Sequence, residues 1–334
     1  MREFYPLPPT FDRVVVTPEG NWRRESGSIP ALDPRDLLFQ LIAAGVTPGD
    51  TAPSPSERHP RGLPVGEIAA IGDAVSGWNP LDRALILPPE DAQGPPDPGL
   101  GEFLLVRGSE TQDPASSRLF KLSENIPAED ATLLPAAATA AHILREAALP
   151  SGGRLLVVGL GLVGQILVLL ARHQRVERIA AADPSPTLRA KVEWSGATRV
   201  IRVPDESLRD AVLAETGGQG VHAAAVLLAD PLWLGEASRV LGPRGALLVA
   251  ADFPPGFALN IAPAWVRRGE VRIQGVRGYN KRDLRDAVRA VNQGIVNAEN
   301  LLTKRIAWGD LESAELTPEF WAHATHVVLE GPES

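Results

Sequence analysis

The stretch that most constrains this chain is Leu155-Leu156-Val157-Val158-Gly159-Leu160-Gly161-Leu162-Val163-Gly164, followed by an amphipathic run over 165–172. An apolar strand that becomes Gly-x-Gly-x-x-Gly and then a helix has the order that a phosphate-binding turn requires. Gly159 serves the tight turn, Gly161 lets the backbone approach a phosphate, and Gly164 lets the helix pack on the strand. The first N–H groups of that helix, at Leu162, Val163 and Gly164, then face the anion. A second apolar run, 179–182, ends in Asp183, about 20 residues beyond the turn, where a strand-end acid binds both hydroxyls of an adenosine ribose. A structural turn with a surface aspartate is the competing reading; the strand-turn-helix context argues for a dinucleotide. Asp183 would repel a 2′-phosphate, which favours NAD(H), while Arg189 on the following helix keeps NADP(H) open.

A chain of 334 residues has room for two domains with sizeable cores. Its net charge of −8 offers no basic footprint for nucleic acid. No apolar run approaches the ~20 residues of a membrane span. Residues 1–11 carry Arg2, Glu3 and three prolines where a signal peptide would have an apolar core. With no cysteine, disulfides, thiolate ligands and a cysteine nucleophile are excluded. The expectation is a soluble cytoplasmic protein that acts on a small molecule, without a nucleic-acid or membrane partner.

Short apolar runs at 14–17, 37–43, 67–71, 83–87 and 103–106, separated by Gly, Pro, Asp and Asn, predict strands of a small barrel or sandwich. Two proline-rich loops, 47–64 and 88–98, interrupt them. Acids and caps at 123–130 precede an alanine-rich helical region, 131–148. From 154 to 275 strands and helices alternate, which predicts a parallel sheet with helices on both faces and ligands at the carboxyl ends of its strands. After 278 come a helix over 281–292, an apolar run at 301–306, a short helix near 318–321 and a last strand at 326–329. These are too few for a third domain and are expected to complete the first.

The segment Ala43-Ala44-Gly45-Val46-Thr47-Pro48-Gly49-Asp50, the run Gly66-Glu67-Ile68-Ala69-Ala70-Ile71-Gly72 with Gly77–Arg83 after it, the glycine turn, Asp183 and Gly196-Ala197-Thr198 occur in the order seen in one family. On these residues the chain resembles the medium-chain dehydrogenase/reductase superfamily, the zinc alcohol dehydrogenase-like proteins, over essentially its whole length. The resemblance implies an α/β protein in which a GroES-like β-barrel catalytic domain, 1–136 and 278–334, is interrupted by a Rossmann doubly wound parallel-sheet cofactor domain, 137–277. It also implies nicotinamide contacts at Ala251 and Gly278, and a homodimer or homotetramer joined through edge strands near 271–276.

The departures from the family carry functional information. The resemblance places a zinc-ligating cysteine at Thr47, a ligating histidine within Arg61-Gly62-Leu63, and the third ligand near Pro135; none of these residues is a metal donor. The loop 88–99 replaces the structural zinc lobe. His59 is one histidine and makes no site alone, and His323 and His326 straddle a predicted helix-to-strand change. No metal site is therefore expected. Gly49 stands where the family's proton relay begins, so that relay is broken as well. Hydride transfer to a carbonyl still needs a group to stabilise the developing alkoxide and a proton source. The candidates are the hydroxyls of Thr47 and Thr51, Asp252 if apolar surroundings raise its pKa, and the phenol of Tyr279. His142, Trp78 and Trp265 are expected to be packing residues. The reading that results is a zinc-independent NAD(P)(H) oxidoreductase acting on a carbonyl, alcohol or activated alkene in an interdomain cleft. The alternative is a cofactor-binding pseudoenzyme, a sensor or interaction module that has lost catalysis.

Overall fold

The computed structural model describes residues 2–3, 7–17, 21–29, 31–48, 62–88, 99–108, 118–254, 256–321 and 323–332. The chain forms two compact units, Met1–Leu133 with Asn297–Ser334, and Leu134–Val296 between them.

The first unit opens with β1 (Arg2–Glu3), β2 (Thr10–Val16), β3 (Trp22–Ser28), β4 (Leu37–Val46), β5 (Leu63–Ile71), β6 (Arg83–Ile86), β7 (Phe103–Val106), β8 (Leu119–Lys121) and the short helix α1 (Ala128–Ala131). The second unit begins with α2 (Leu134–Ala147) and then alternates: β9 (Arg154–Val158), α3 (Leu162–His173), β10 (Arg178–Ala182), α4 (Pro186–Glu193), β11 (Arg199–Ile201), α5 (Leu208–Glu215), β12 (Val221–Val226), α6 (Pro231–Ser238), β13 (Leu241–Val249), α7 (Pro263–Gly269), β14 (Arg272–Gly275) and α8 (Lys281–Asn292). The chain then returns to the first unit with α9 (Ala298–Leu301), β15 (Lys304–Ile306), a 3-10 turn at Trp308–Ser313, α10 (Pro318–Trp321) and β16 (Val327–Glu330).

In the second unit six parallel strands lie in the order β11-β10-β9-β12-β13-β14. The order reverses at β9, the topological switch point of such a sheet. The residues Leu155–Val158 are buried, as a central parallel strand covered on both faces requires. One face packs Leu156, Val158, Leu208, Val212, Trp233, Leu234 and Leu247 into a continuous core. The unit extends past the expected return at 278. The physical reason is that Leu284, Ala287, Ala290 and Val291 give α8 a buried stripe, and its first turn is tied to α2 through Asp283.

In the first unit β15-β16-β4-β5-β6-β8 form one sheet, with β1 added to β5 and β7 to β4. β16 pairs antiparallel with β4, so the C-terminal segment completes the N-terminal sheet. β2 and β3 form a separate antiparallel hairpin. β3 has the sequence Trp22-Arg23-Arg24-Glu25-Ser26-Gly27-Ser28, whose apolar content is confined to the buried Trp22, and its pattern predicts no strand. The expected helix over 131–148 divides at Thr132 and Leu133, where the Thr132 hydroxyl donates to Glu129 O (2.6 Å).

Candidate functional site

The glycine turn sits at the carboxyl end of β9. Gly159 has φ +99°, and its N–H donates to Ala182 O (2.9 Å), which ties the turn to β10. A Cβ on Gly164 would lie 2.1 Å from Gly159 O, so α3 can pack on the strand only with glycine there. A Cβ on Gly161 would meet nothing within 4 Å: the space above the turn is open. Gly161 is also the N-cap of α3 and, being glycine, supplies no side-chain cap, so among the described residues no side chain caps the N–H groups of Leu162, Val163 and Gly164. Gln165, which the sequence reading did not single out, is fully buried and donates through Nε2 to Leu160 O (2.8 Å), bracing the turn from below. Its position one residue past the third glycine was the only signal that could have marked it.

Asp183 follows β10 and is 4% exposed. Leu160 N–H donates to its Oδ2 (2.7 Å) and Ser185 N–H to its Oδ1 (2.8 Å), so the carboxylate is fixed between the glycine turn and the start of α4. Ser185 caps α4 by accepting from Leu188 N–H. Arg189, buried on the same helix, directs Nη1 to three carbonyl oxygens: Asp183 O (2.7 Å), Pro184 O (2.8 Å) and Val203 O (3.2 Å). Withdrawing that donor would take a hydrogen bond from the buried carbonyls of Asp183 and Val203, at roughly 1–3 kcal/mol for each left unpaired.

Further along the same sheet edge, Ala250 N–H donates to Val226 O and Val276 N–H to Val249 O, both 2.9 Å, so the segments after β13 and β14 leave the sheet side by side. Ala251 is half-buried on the first segment, with Asp252 next to it. Gly278, at φ +60°, and the half-buried Tyr279 lie on the second. Asp252 is exposed, so the apolar enclosure on which its role as a carboxyl general acid depended is missing.

In the first unit Thr47 is half-buried immediately after β4. Thr51 and His59 lie outside the described residues. His323 is exposed and His326 fully buried, so the two histidines do not act as a pair. His326 Nε2 lies 2.8 Å from Thr132 Oγ1, and burial pushes the imidazole pKa down to about 4 against the opposing charge of Glu129. His142, on α2 in the second unit, has Nδ1 2.8 Å from both Asp283 Oδ2 and Arg145 Nη2. Its pKa is lowered by burial first and by Arg145 second, with Glu146 opposing. Trp78 packs against the core of the first unit with Lys121 over its ring. Among the described residues, no group of three or more His, Asp and Glu is placed to hold a metal ion.

Comparison with known proteins adds to this geometry. Residues 163–293 match the zinc-binding dehydrogenase family. That segment begins inside the glycine turn, carries Asp183, Ala251 and Tyr279, and contains none of positions 47, 61–63 and 135. Over 260 residues the chain is 28% identical to the (R,R)-butanediol dehydrogenase of Bacillus subtilis, covering 74% of this chain and 72% of that one. Over 263 residues it is 24% identical to the NADP-dependent isopropanol dehydrogenase of Thermoanaerobacter brockii, covering 70% and 73%. A short chain alcohol dehydrogenase from Escherichia coli, solved with NADH, superposes at a TM-score of 0.80 with 18% identity, over 97% of this chain and all of that one. The two-domain fold is that of the alcohol dehydrogenase-like proteins.

Proposed function

We propose that the protein is a zinc-independent, NAD(H)-preferring oxidoreductase of the alcohol dehydrogenase type, acting on a small or medium carbonyl, alcohol or activated alkene. The observation that carries this reading is the open, uncapped turn at Gly161 beside the fixed carboxylate of Asp183. The dehydrogenase relatives support the redox class.

A bound nicotinamide dinucleotide supplies or accepts the hydride. The protein's own groups do the rest. Leu162, Val163 and Gly164 present N–H groups to the pyrophosphate, and Asp183 accepts from the adenosine ribose. Ala251 and Gly278 offer backbone along the same sheet edge toward the nicotinamide. Asp183 disfavours a 2′-phosphate, and Arg189 is occupied by carbonyls. The zinc-independent part of the proposal rests on the ligand positions, which hold Thr, Gly, Leu and Pro in place of N, S or carboxylate donors. For the proton we favour Tyr279, half-buried beside the segment that carries Ala251, over the exposed Asp252, with Thr47 and Thr51 as the further hydroxyl candidates.

Calorimetry with NADH and NADPH tests the cofactor, and turnover of a carbonyl and enone panel by chelator-treated protein tests the chemistry. The expected result is NADH binding and metal-free turnover, with Tyr279→Phe lowering kcat by about 100-fold or more at unchanged NADH affinity. Binding of neither dinucleotide overturns the reading. Binding without turnover of any substrate supports instead a cofactor-binding pseudoenzyme, the reading that the emptied ligand positions favour.

A further inference from the structure

A buried guanidinium six residues after a buried acid, close enough to donate to that acid's main-chain oxygen, is in reach of an ion pair with its carboxylate. Arg189 does not form one: among the described residues it makes no ion pair with the Asp183 carboxylate, and its Nη1 goes to the main-chain oxygens of Asp183, Pro184 and Val203 instead. The hydrogen bonds close a circuit. Ser185 N–H donates to Asp183 Oδ1, Arg189 N–H donates to Ser185 O (3.1 Å), and the Arg189 side chain donates back to Asp183 O. The bond to Val203 O extends the circuit from the end of β10 to the segment after β11. Asp183 is thus held at both ends, its carboxylate by the N–H groups of Leu160 and Ser185 and its carbonyl by Arg189.

We propose that Arg189 is a positioning residue of the adenosine-ribose subsite: it locks the Asp183 main chain so that the carboxylate stays over the glycine turn, and its engagement with the carbonyls withholds it from a 2′-phosphate. The inference rests on the dinucleotide reading above. It assigns to one side chain two effects that a nearby arginine usually opposes, since a free arginine at such a strand end accommodates the 2′-phosphate. Here the cation serves the acid that excludes that phosphate.

The test is the ratio of NADPH to NADH dissociation constants, read by fluorescence titration of the full-length protein. Wild type is expected to favour NADH. Arg189→Met should shrink that preference about tenfold, the size of one charge-assisted hydrogen bond, while Arg189→Lys, which still donates to carbonyls, should retain most of it. Asp183→Ser should bind NADPH no more than about threefold tighter than Asp183→Ser/Arg189→Met, within the spread of non-interacting sites. A purely structural effect would weaken both dinucleotides together and leave the wild-type ratio in Arg189→Met, which overturns positioning. An NADPH affinity about tenfold higher in Asp183→Ser than in the double variant would mean that Arg189 swings out to the phosphate, and overturns its sequestration. If wild type binds neither dinucleotide, or prefers NADPH, the cofactor reading falls and this inference falls with it.

Discussion

At the scale of single residues, the three glycines of the turn separate into different physical roles, and substitution tells them apart. Gly164→Ala drives a methyl to 2.1 Å from Gly159 O, a backbone atom that cannot move aside without shifting α3. Urea unfolding should show a loss of roughly 2 kcal/mol or more, the range of overpacked cores. Gly161→Val places its side chain in open space and should leave stability within about 1 kcal/mol, yet weaken NADH at least about tenfold by filling the place of the phosphate. Equal stability losses in the two variants would contradict this division. His326 supplies a pH-dependent prediction. Its folded pKa is about 4 and its unfolded value is near 6.5, so the unfolded chain takes up the proton first. The contribution of the neutral, buried ring is complete above pH 6.5 and is lost as pH falls toward 4, by roughly 3 kcal/mol over that span. Unfolding free energies of wild type and His326→Gln between pH 7 and 4.5 should therefore diverge in slope, and parallel slopes would refute the assignment. Local geometry was legible in the sequence where spacing alone encodes it, as in the strand, turn and helix around Gly159 and the strand end at Asp183. It was hidden where a side chain's partner is a main-chain oxygen distant in sequence: nothing in the run Pro186–Glu193 tells that Arg189 reaches Val203 O.

At the scale of elements, strands buried on both faces announced themselves. β9 and β10 each start on one arginine, Arg154 and Arg178, and end where their apolar runs do, because the covered part of a parallel strand tolerates no polar interruption. β3 and α7 did not. β3 exposes most of its polar residues in a two-stranded hairpin, and α7 has no buried residue, so neither leaves a hydrophobic period to read. The misplaced return at 278 has a related cause. The amphipathic pattern of α8 shows that it packs but not on what, and the element that decides is Asp283. This carboxylate is fully buried, accepts from Asn280 N–H within a capping box, lies 2.8 Å from His142 Nδ1, and contacts the Arg145 guanidinium. Asp283→Ala removes the cap and leaves Arg145 and His142 without their carboxylate, so we expect a loss of roughly 3 kcal/mol in urea unfolding. Arg145→Ala/Asp283→Ala should lose less than the two single losses combined, since the orphaned cation is gone. Strict additivity would show that the pair does not couple α8 to α2.

For the molecule as a whole, what the sequence conveyed best was the class of fold, because alternation of strands and helices leaves few topologies open. What it conveyed least was anything that depends on a second copy. The outer edge of the parallel sheet is β14, where Arg272 and Gln274 reach back to Glu146 while Ile273 stays 41% exposed. The opposite edge, β11, is a three-residue strand with Arg199 held by Glu206. A short, charged edge resists pairing, whereas an edge with an exposed branched apolar side chain invites it. We therefore expect a homodimer, or a tetramer built from such dimers, that continues the sheet through β14. Light scattering on a sizing column should give a multiple of the chain mass for wild type. Ile273→Lys should lower it toward the monomer, because a charge is driven into the paired edge, and should leave NADH affinity within about threefold, since Ile273 is not among the residues proposed to hold the dinucleotide, Gly161, Asp183 and Ala251. A monomeric wild type would refute the assembly outright. An unchanged mass in Ile273→Lys would move the interface away from β14 and onto another surface of the chain.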